Sequence, residues 1–174
     1  MNRRLLMTAG ATWLAGCASP QAADYAAERP LLDLRTYFSG ELVAHGMFSD
    51  RAGRVQRRFT ATITGSWKGN EGVLDERFVW SDGRTERRVW RLTDQGGGRW
   101  SGRADDVVGE AVGIAAGNAL NWRYTMRLPV DDKVYEVQFD DWMFLVDERT
   151  MLNRAAMSKF GIHLGDVTLA FTRR

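Results

Sequence analysis

Cysteine is almost missing from this chain: Cys17 is the only one. A single thiol cannot close an internal disulfide, so the disulfide-stapled small folds are excluded. Proline occurs three times and histidine twice, at His45 and His163. No metal-ligand spacing links the two histidines, and they support no Ser-His-Asp arrangement. No nucleotide-binding motif is present. What is there is a globular composition, 44% hydrophobic and 26% charged over 174 residues. That suits one domain able to bury a core without disulfides.

The chain begins MNRR and runs into LLMTAGATWLA, 11 residues that are apolar or small. This is the length of a signal h-region and too short to span a bilayer. It ends in Leu14-Ala15-Gly16-Cys17, which looks like a bacterial lipobox, where small residues admit a signal peptidase ahead of a cysteine that becomes diacylated. The expectation is a signal peptide over residues 1–16 and a lipid on Cys17. Two or more acyl chains would anchor the protein stably in a membrane. Ala18, rather than aspartate, follows the cysteine; by analogy with enterobacterial lipoproteins this favours the outer membrane, facing the periplasm. Loss of Arg3 and Arg4 with the signal brings the 24 basic side chains level with the 22 acidic ones. A chain without a basic excess does not read as a nucleic-acid binder.

Residues 17–29 are small and polar and read as a tether, leaving residues 30–174 as one domain. In PLLDLRTYF, Pro30 suits a first helical turn, and Leu31, Leu34 and Phe38 share a face, which predicts one short helix. From residue 41 the period becomes two. Phe59, Ala61, Ile63, Gly65 and Trp67 alternate with hydroxyl residues. Leu120, Trp122, Tyr124, Met126 and Leu128 alternate with Asn121, Arg123, Thr125 and Arg127. Tyr135, Val137 and Phe139 repeat the pattern, as do Val167, Leu169 and Phe171. Each is a half-buried antiparallel strand. Turn signals such as KGN, SDG, QGGG and PVDD separate them. The expectation is all-β: nine or ten strands in an up-and-down meander, closed as a barrel or half-barrel, with a two-sheet sandwich as the alternative.

The stretch DVVGEAVGIAAGNA places glycine at 109, 113 and 117. A helix would have to absorb about 1 kcal/mol per glycine. Read at period two, Gly109, Ala111, Gly113, Ala115 and Gly117 form one nearly bare strand face, turning at Gly117-Asn118. Either bulky side chains fill the space opposite, or a ligand does. Six tryptophans outside the signal segment are the available fillers: Trp67, Trp80, Trp90, Trp100, Trp122 and Trp142.

Asp140-Asp141-Trp142 resembles a paired-carboxylate site, but strand neighbours point to opposite faces. One of the pair can point inward and meet Asp106 across strands. Asn153, Arg154 and Lys159, in NRAAMSKFG, lie on a strand or a short helix stopped by Gly161. Arg154 or Lys159 is a candidate anion contact. These seven residues form the candidate polar cluster; no catalytic residue, metal site or cofactor is expected.

The segments YFSGELVAHGMFSDRAGRVQRRF, DVVGEAVGIAAGNALNWRY, FDDWMFLVDERTMLNRAAMSKFG and GDVTLAF resemble a family of bacterial lipoproteins known as domain of unknown function 3833. The family is lipocalin-like by pattern, although FSGELVA lacks the Gly-x-Trp of lipocalin first strands. The resemblance implies a lipid-related role. The expected function is a lipid-anchored barrel holding a hydrophobic or fatty-acid-like molecule. The alternatives are an envelope interaction protein with a filled core and, third, a lipid-modifying enzyme using the aspartates above.

Overall fold

The computed structural model of the protein describes residues 19–174; the signal-like segment and Cys17 lie outside them. Ten strands follow one another: β1 (Gly40–Asp50), β2 (Val55–Lys68), β3 (Glu71–Trp80), β4 (Thr85–Gly96), β5 (Arg99–Arg103), β6 (Ala111–Ala116), β7 (Ala119–Val130), β8 (Lys133–Leu145), β9 (Thr150–Lys159) and β10 (Ile162–Arg173). Each pairs antiparallel with its sequence neighbour, and β10 returns to pair with β1, closing the barrel. Closure leaves no open sheet edge along most of its length and rules out the sandwich.

The two-residue period sets what faces inward. On β7, Leu120, Trp122 and Met126 are buried while Arg123 and Arg127 are exposed. On β8, Val137, Phe139 and Asp141 point in, and Glu136 and Gln138 point out. NRAAMSKFG is strand, not helix: β9 runs through it and Gly161 makes the turn into β10 at φ 76°.

One end of the barrel is plugged. Helix α1 (Leu34–Tyr37) starts at Asp33, whose carboxylate accepts from the Thr36 amide at 2.6 Å. This is a side-chain N-cap. The helix is shorter than the expected Pro30 start, because the cap falls at Asp33. Leu34, Tyr37 and Phe38 are buried. The Tyr37 hydroxyl lies 3.1 Å from the Arg149 carbonyl and 3.2 Å from that of Phe171, anchoring the plug to two strand ends. Gly65 has no side chain because a Cβ there would strike the Phe38 carbonyl.

The segment expected to be a tether is partly packed. Residues Ala22–Tyr25 form a 3-10 turn with Ala22 buried, and the Tyr25 ring meets Trp142 and Phe144 edge-on at 5.7 and 5.0 Å. Tyr25 supplies the apolar contact that outweighs the segment's polar composition.

The glycine stretch divides into three. β6 covers only Ala111–Ala116. Gly109 sits before it in a loop at φ 70°, in open space, and Gly117 makes the turn at φ 56°. The bare strand face therefore comprises Ala111, Gly113 and Ala115, not Gly109 or Gly117; the left-handed backbone at both takes them out of the strand. A Cβ on Gly113 would collide with the Trp122 ring. Trp122 packs edge-on against Trp90 at 5.7 Å, which resists its retreat. Gly113→Ala is expected to lower stability by about 1–3 kcal/mol, the usual cost of overpacking, measurable by urea unfolding; an unchanged midpoint would show that Trp122 is free to move.

Candidate functional site: a hollow barrel with a charged girdle

Tryptophan fills the glycine face but not the barrel. A cavity of about 1410 Å³ runs from Leu34 and Phe38 at the plugged end to Arg84 and Asp131 at the other. Small-molecule pockets are usually about 300–1,000 Å³. Its walls are mostly apolar, with Phe59, Phe78, Trp90, Phe139 and Met157 among them. The filled-core expectation thus holds only near the floor, where Trp67 and Trp100 meet edge-on at 5.8 Å.

A belt of charged groups interrupts the apolar wall. Strand pairing sets Glu76 of β3 beside Arg88 of β4. The Arg88 guanidinium reaches away from β3 to Asp106, with Nε 2.9 Å and Nη2 2.8 Å from Oδ2. Glu76 is 3.9 Å from Arg88 Nη1, too long for a hydrogen bond. Glu86 joins from nearer the rim at 3.4 Å. Across the barrel, Asp141 Oδ1 accepts from the Asn153 amide, which also donates to the Trp142 carbonyl at 3.1 Å. Two acceptors fix the amide's orientation. Tyr124 completes the belt, stacked on Phe139 at 4.9 Å.

Electrostatics follow from burial. Burial pushes the Glu76 carboxyl up to about 7, with Arg88 opposing and Asp106, Asp141 and Glu86 adding to the rise. Burial likewise pushes Asp141 up to about 7 against the Asn153 hydrogen bond. Tyr124 is raised well above its usual value, first by burial and then by Asp141. For Arg88, burial opposes the charge, but Glu76 and Asp106 outweigh it and hold the guanidinium protonated.

The belt also closes a gap in the wall. β5 is only five residues long, and its ladder with β4 ends at Arg91–Arg103. Thr85–Trp90 has no strand neighbour on that side, because residues 104–110 lean on β7 instead. Val107 bridges Met126, and the Val108 amide donates to the Thr125 carbonyl at 2.8 Å. Arg88–Asp106 is the tie across this slot.

Of the candidate cluster, Asp106, Asp141 and Asn153 line the cavity. Asp140, Trp142 and Arg154 do not: they occupy the opposite strand face. Asp140 meets Arg123 at 3.3 Å, and Arg154 meets Asp166 at 3.1 Å. Lys159 stands over the Tyr135 ring at 4.5 Å. His163 pairs with Asp166, and His45 lies exposed on β1. Sequence reasoning missed Glu76, Arg88 and Tyr124 as cavity polar groups. A signal was available: Glu76 shares the register of Leu74 and Phe78, and Arg88 that of Trp90 and Leu92. A charge in an apolar register is a buried charge.

Residues 11–173 match the family described as a protein of unknown function, DUF3833. The chain belongs to this family. No curated protein matches it in sequence. The DUF3833 barrel is similar to the S-type phycobiliprotein lyase CPES from Guillardia theta, at 5% identity and a TM-score of 0.61, over 80% of this chain and 90% of that one. A second likeness is to a DUF3598 protein of unknown function from Nostoc punctiforme, at 15% identity and a TM-score of 0.50. It covers 85% of this chain and 51% of that one. At these identities the likeness concerns the fold, which is that of a lipocalin-like, calycin-type barrel.

Proposed function

We propose that this DUF3833 protein is a lipid-anchored envelope lipoprotein whose barrel holds an elongated, mostly apolar small molecule with one polar end. The carrying observation is the hollow interior of about 1410 Å³, apolar along its walls and crossed by one polar belt. Apolar walls with a few convergent polar groups are the usual makeup of a small-molecule site. The CPES likeness supports the fold and leaves the ligand to be found. The lipobox-like Leu14–Cys17 supports the anchor, and Ala18 an outer-membrane destination facing the periplasm. The filled-core alternative loses its premise, since the barrel is not filled. The enzymatic alternative needs Asp106, Asp140 or Asp141 as base beside Arg154 or Lys159 as anion clamp. Asp106 and Asp141 line the cavity, which neither Arg154 nor Lys159 does. Asp140, on the outer face with Arg154, is paired with Arg123, while Arg154 is paired with Asp166.

Native mass spectrometry of the purified protein, followed by organic extraction, tests the binding reading. The expected result is a retained mass of a few hundred daltons, about what a cavity of this class accommodates, and uptake of a neutral probe such as N-phenyl-1-naphthylamine. Apo mass alone with no probe uptake would refute it. For the anchor, Cys17→Ser is expected to move the protein from the membrane to the soluble fraction and to abolish labelling by radioactive palmitate.

A further inference from the structure

We propose that the belt inside the barrel receives an amine, so that the ligand is an amphiphile with an ammonium head and not a fatty acid. This rests on the binding reading above and names the head group. The inner belt holds one cation, Arg88, against three carboxyl groups, Glu76, Asp106 and Asp141, with Glu86 a fourth nearer the rim. Arg88 is already committed to Asp106 through two nitrogens. That leaves Glu76 and Asp141 as the surplus.

Neither surplus carboxyl is satisfied. Asp141 is only 6% exposed, and its one side-chain hydrogen bond goes to Oδ1, leaving Oδ2 without a partner among the described residues. Glu76 accepts no hydrogen bond there, its nearest cation being Arg88 Nη1 at 3.9 Å. Both open onto the cavity, where a carboxylate without donors is costly unless whatever occupies the cavity supplies them. An ammonium head brings three donors and the missing positive charge. The aromatic lining suits a cation further: the Arg88 guanidinium already lies 5.4 Å from the Phe78 ring centre, and Tyr124 and Phe139 present stacked rings nearby. A ligand carboxylate would meet the opposite situation. It would add a negative charge beside three carboxyl groups and force Glu76 and Asp141 to keep their protons.

The rim arginines do not reverse this preference. Arg87 is paired bidentately with Asp75, and Arg84 with Asp82. Arg57 and Arg127 line the mouth of the cavity, but both side chains are exposed to solvent there, where an ion pair contributes little.

The test is competition for bound N-phenyl-1-naphthylamine at pH 7.5 by dodecylamine, dodecanol and dodecanoate, which share one chain. Dodecylamine is expected to displace the probe at roughly one-tenth the concentration of dodecanoate or less, tenfold being about 1.4 kcal/mol, with dodecanol between them. Asp141→Asn is expected to bring dodecylamine close to dodecanol while the probe still binds. Glu76→Gln should act in the same direction if one variant folds poorly. Dodecanoate equal to or better than dodecylamine would overturn the proposal, and so would an amine preference untouched in both variants. If the probe and all three chains fail to bind, the cavity-binding reading falls, and this proposal with it.

Discussion

An Arg88→Met protein will unfold roughly 6–20 °C below the parent at pH 7.5. Removing one partner from a buried ion pair costs about 3–5 kcal/mol, because the other charge is left without compensation. A domain of this size loses about 2–4 °C per kcal/mol. Here the orphaned groups are Asp106 and Glu76, which face Arg88 from the 104–110 loop and from β3. Methionine keeps most of the side-chain volume, so the loss reads charge rather than packing. The effect also has a position. Thr85–Trp90 and residues 104–110 share no ladder, so hydrogen exchange in the loop should accelerate more than exchange in β9. A triple variant, Arg88→Met with Glu76→Gln and Asp106→Asn, removes all three charges and should recover most of the melting temperature. A melting temperature within 2–3 °C of the parent in the single variant, a shift of about 1 kcal/mol or less, would mean that Arg88 does not hold the slot closed.

The second large effect is on pH dependence. Glu76 and Asp141 have folded values of about 7, above their ordinary values of 4.5 and 3.8. A raised carboxyl favours folding while protonated. Its contribution is therefore complete below its unfolded value and is lost as pH rises to about 7. Four other aspartates, Asp50, Asp75, Asp82 and Asp147, are held below 3.8 by hydrogen bonds. Their contribution disappears only in stronger acid. Between pH 5 and 8 the buried pair thus governs, and the ligand-free protein should become less stable as pH rises. At about 1.4 kcal/mol per unit, each group contributes up to roughly 3 kcal/mol. Arg88, Glu86, Asp106, Tyr124 and Asp141 surround Glu76, while Asn153 and Asp140 flank Asp141. Calorimetry at pH 5 and pH 8 checks the sign. Glu76→Gln and Asp141→Asn should each flatten the difference and raise the melting temperature at pH 8. A parent melting temperature that stays level or rises from pH 5 to pH 8 would contradict these assignments.

Much of the fold was legible before any coordinates. The alternation Leu120, Trp122, Tyr124, Met126, Leu128 identifies a half-buried strand because a pleated strand has only two faces. Nine or ten such runs in sequence, joined by short turns of which most contain glycine, can satisfy their edges by closing on themselves. The boundaries were less legible. Gly109 continues the small-residue alternation but takes a left-handed backbone that ends it. Tyr25 lies in a polar stretch, yet Trp142 and Phe144 hold it to the wall. In each case a local pattern was overruled by a contact or a dihedral that spacing does not encode.

The candidate site divides the same way. Strand parity is a property of the sequence, so it separates Asp140 from Asp141 and places Glu76 and Arg88 among apolar neighbours. It determines that charges enter the barrel. It does not determine which charges meet. That Arg88 commits to Asp106, 18 residues on, depends on β5 stopping early and on residues 104–110 moving across to β7. Nor does parity determine whether the interior is full. Trp122 fills the space above Gly113, while the remaining bulky side chains line a ten-stranded wall too wide to close over its axis. Barrel width grows with strand number, and strand number is settled only when β10 pairs with β1.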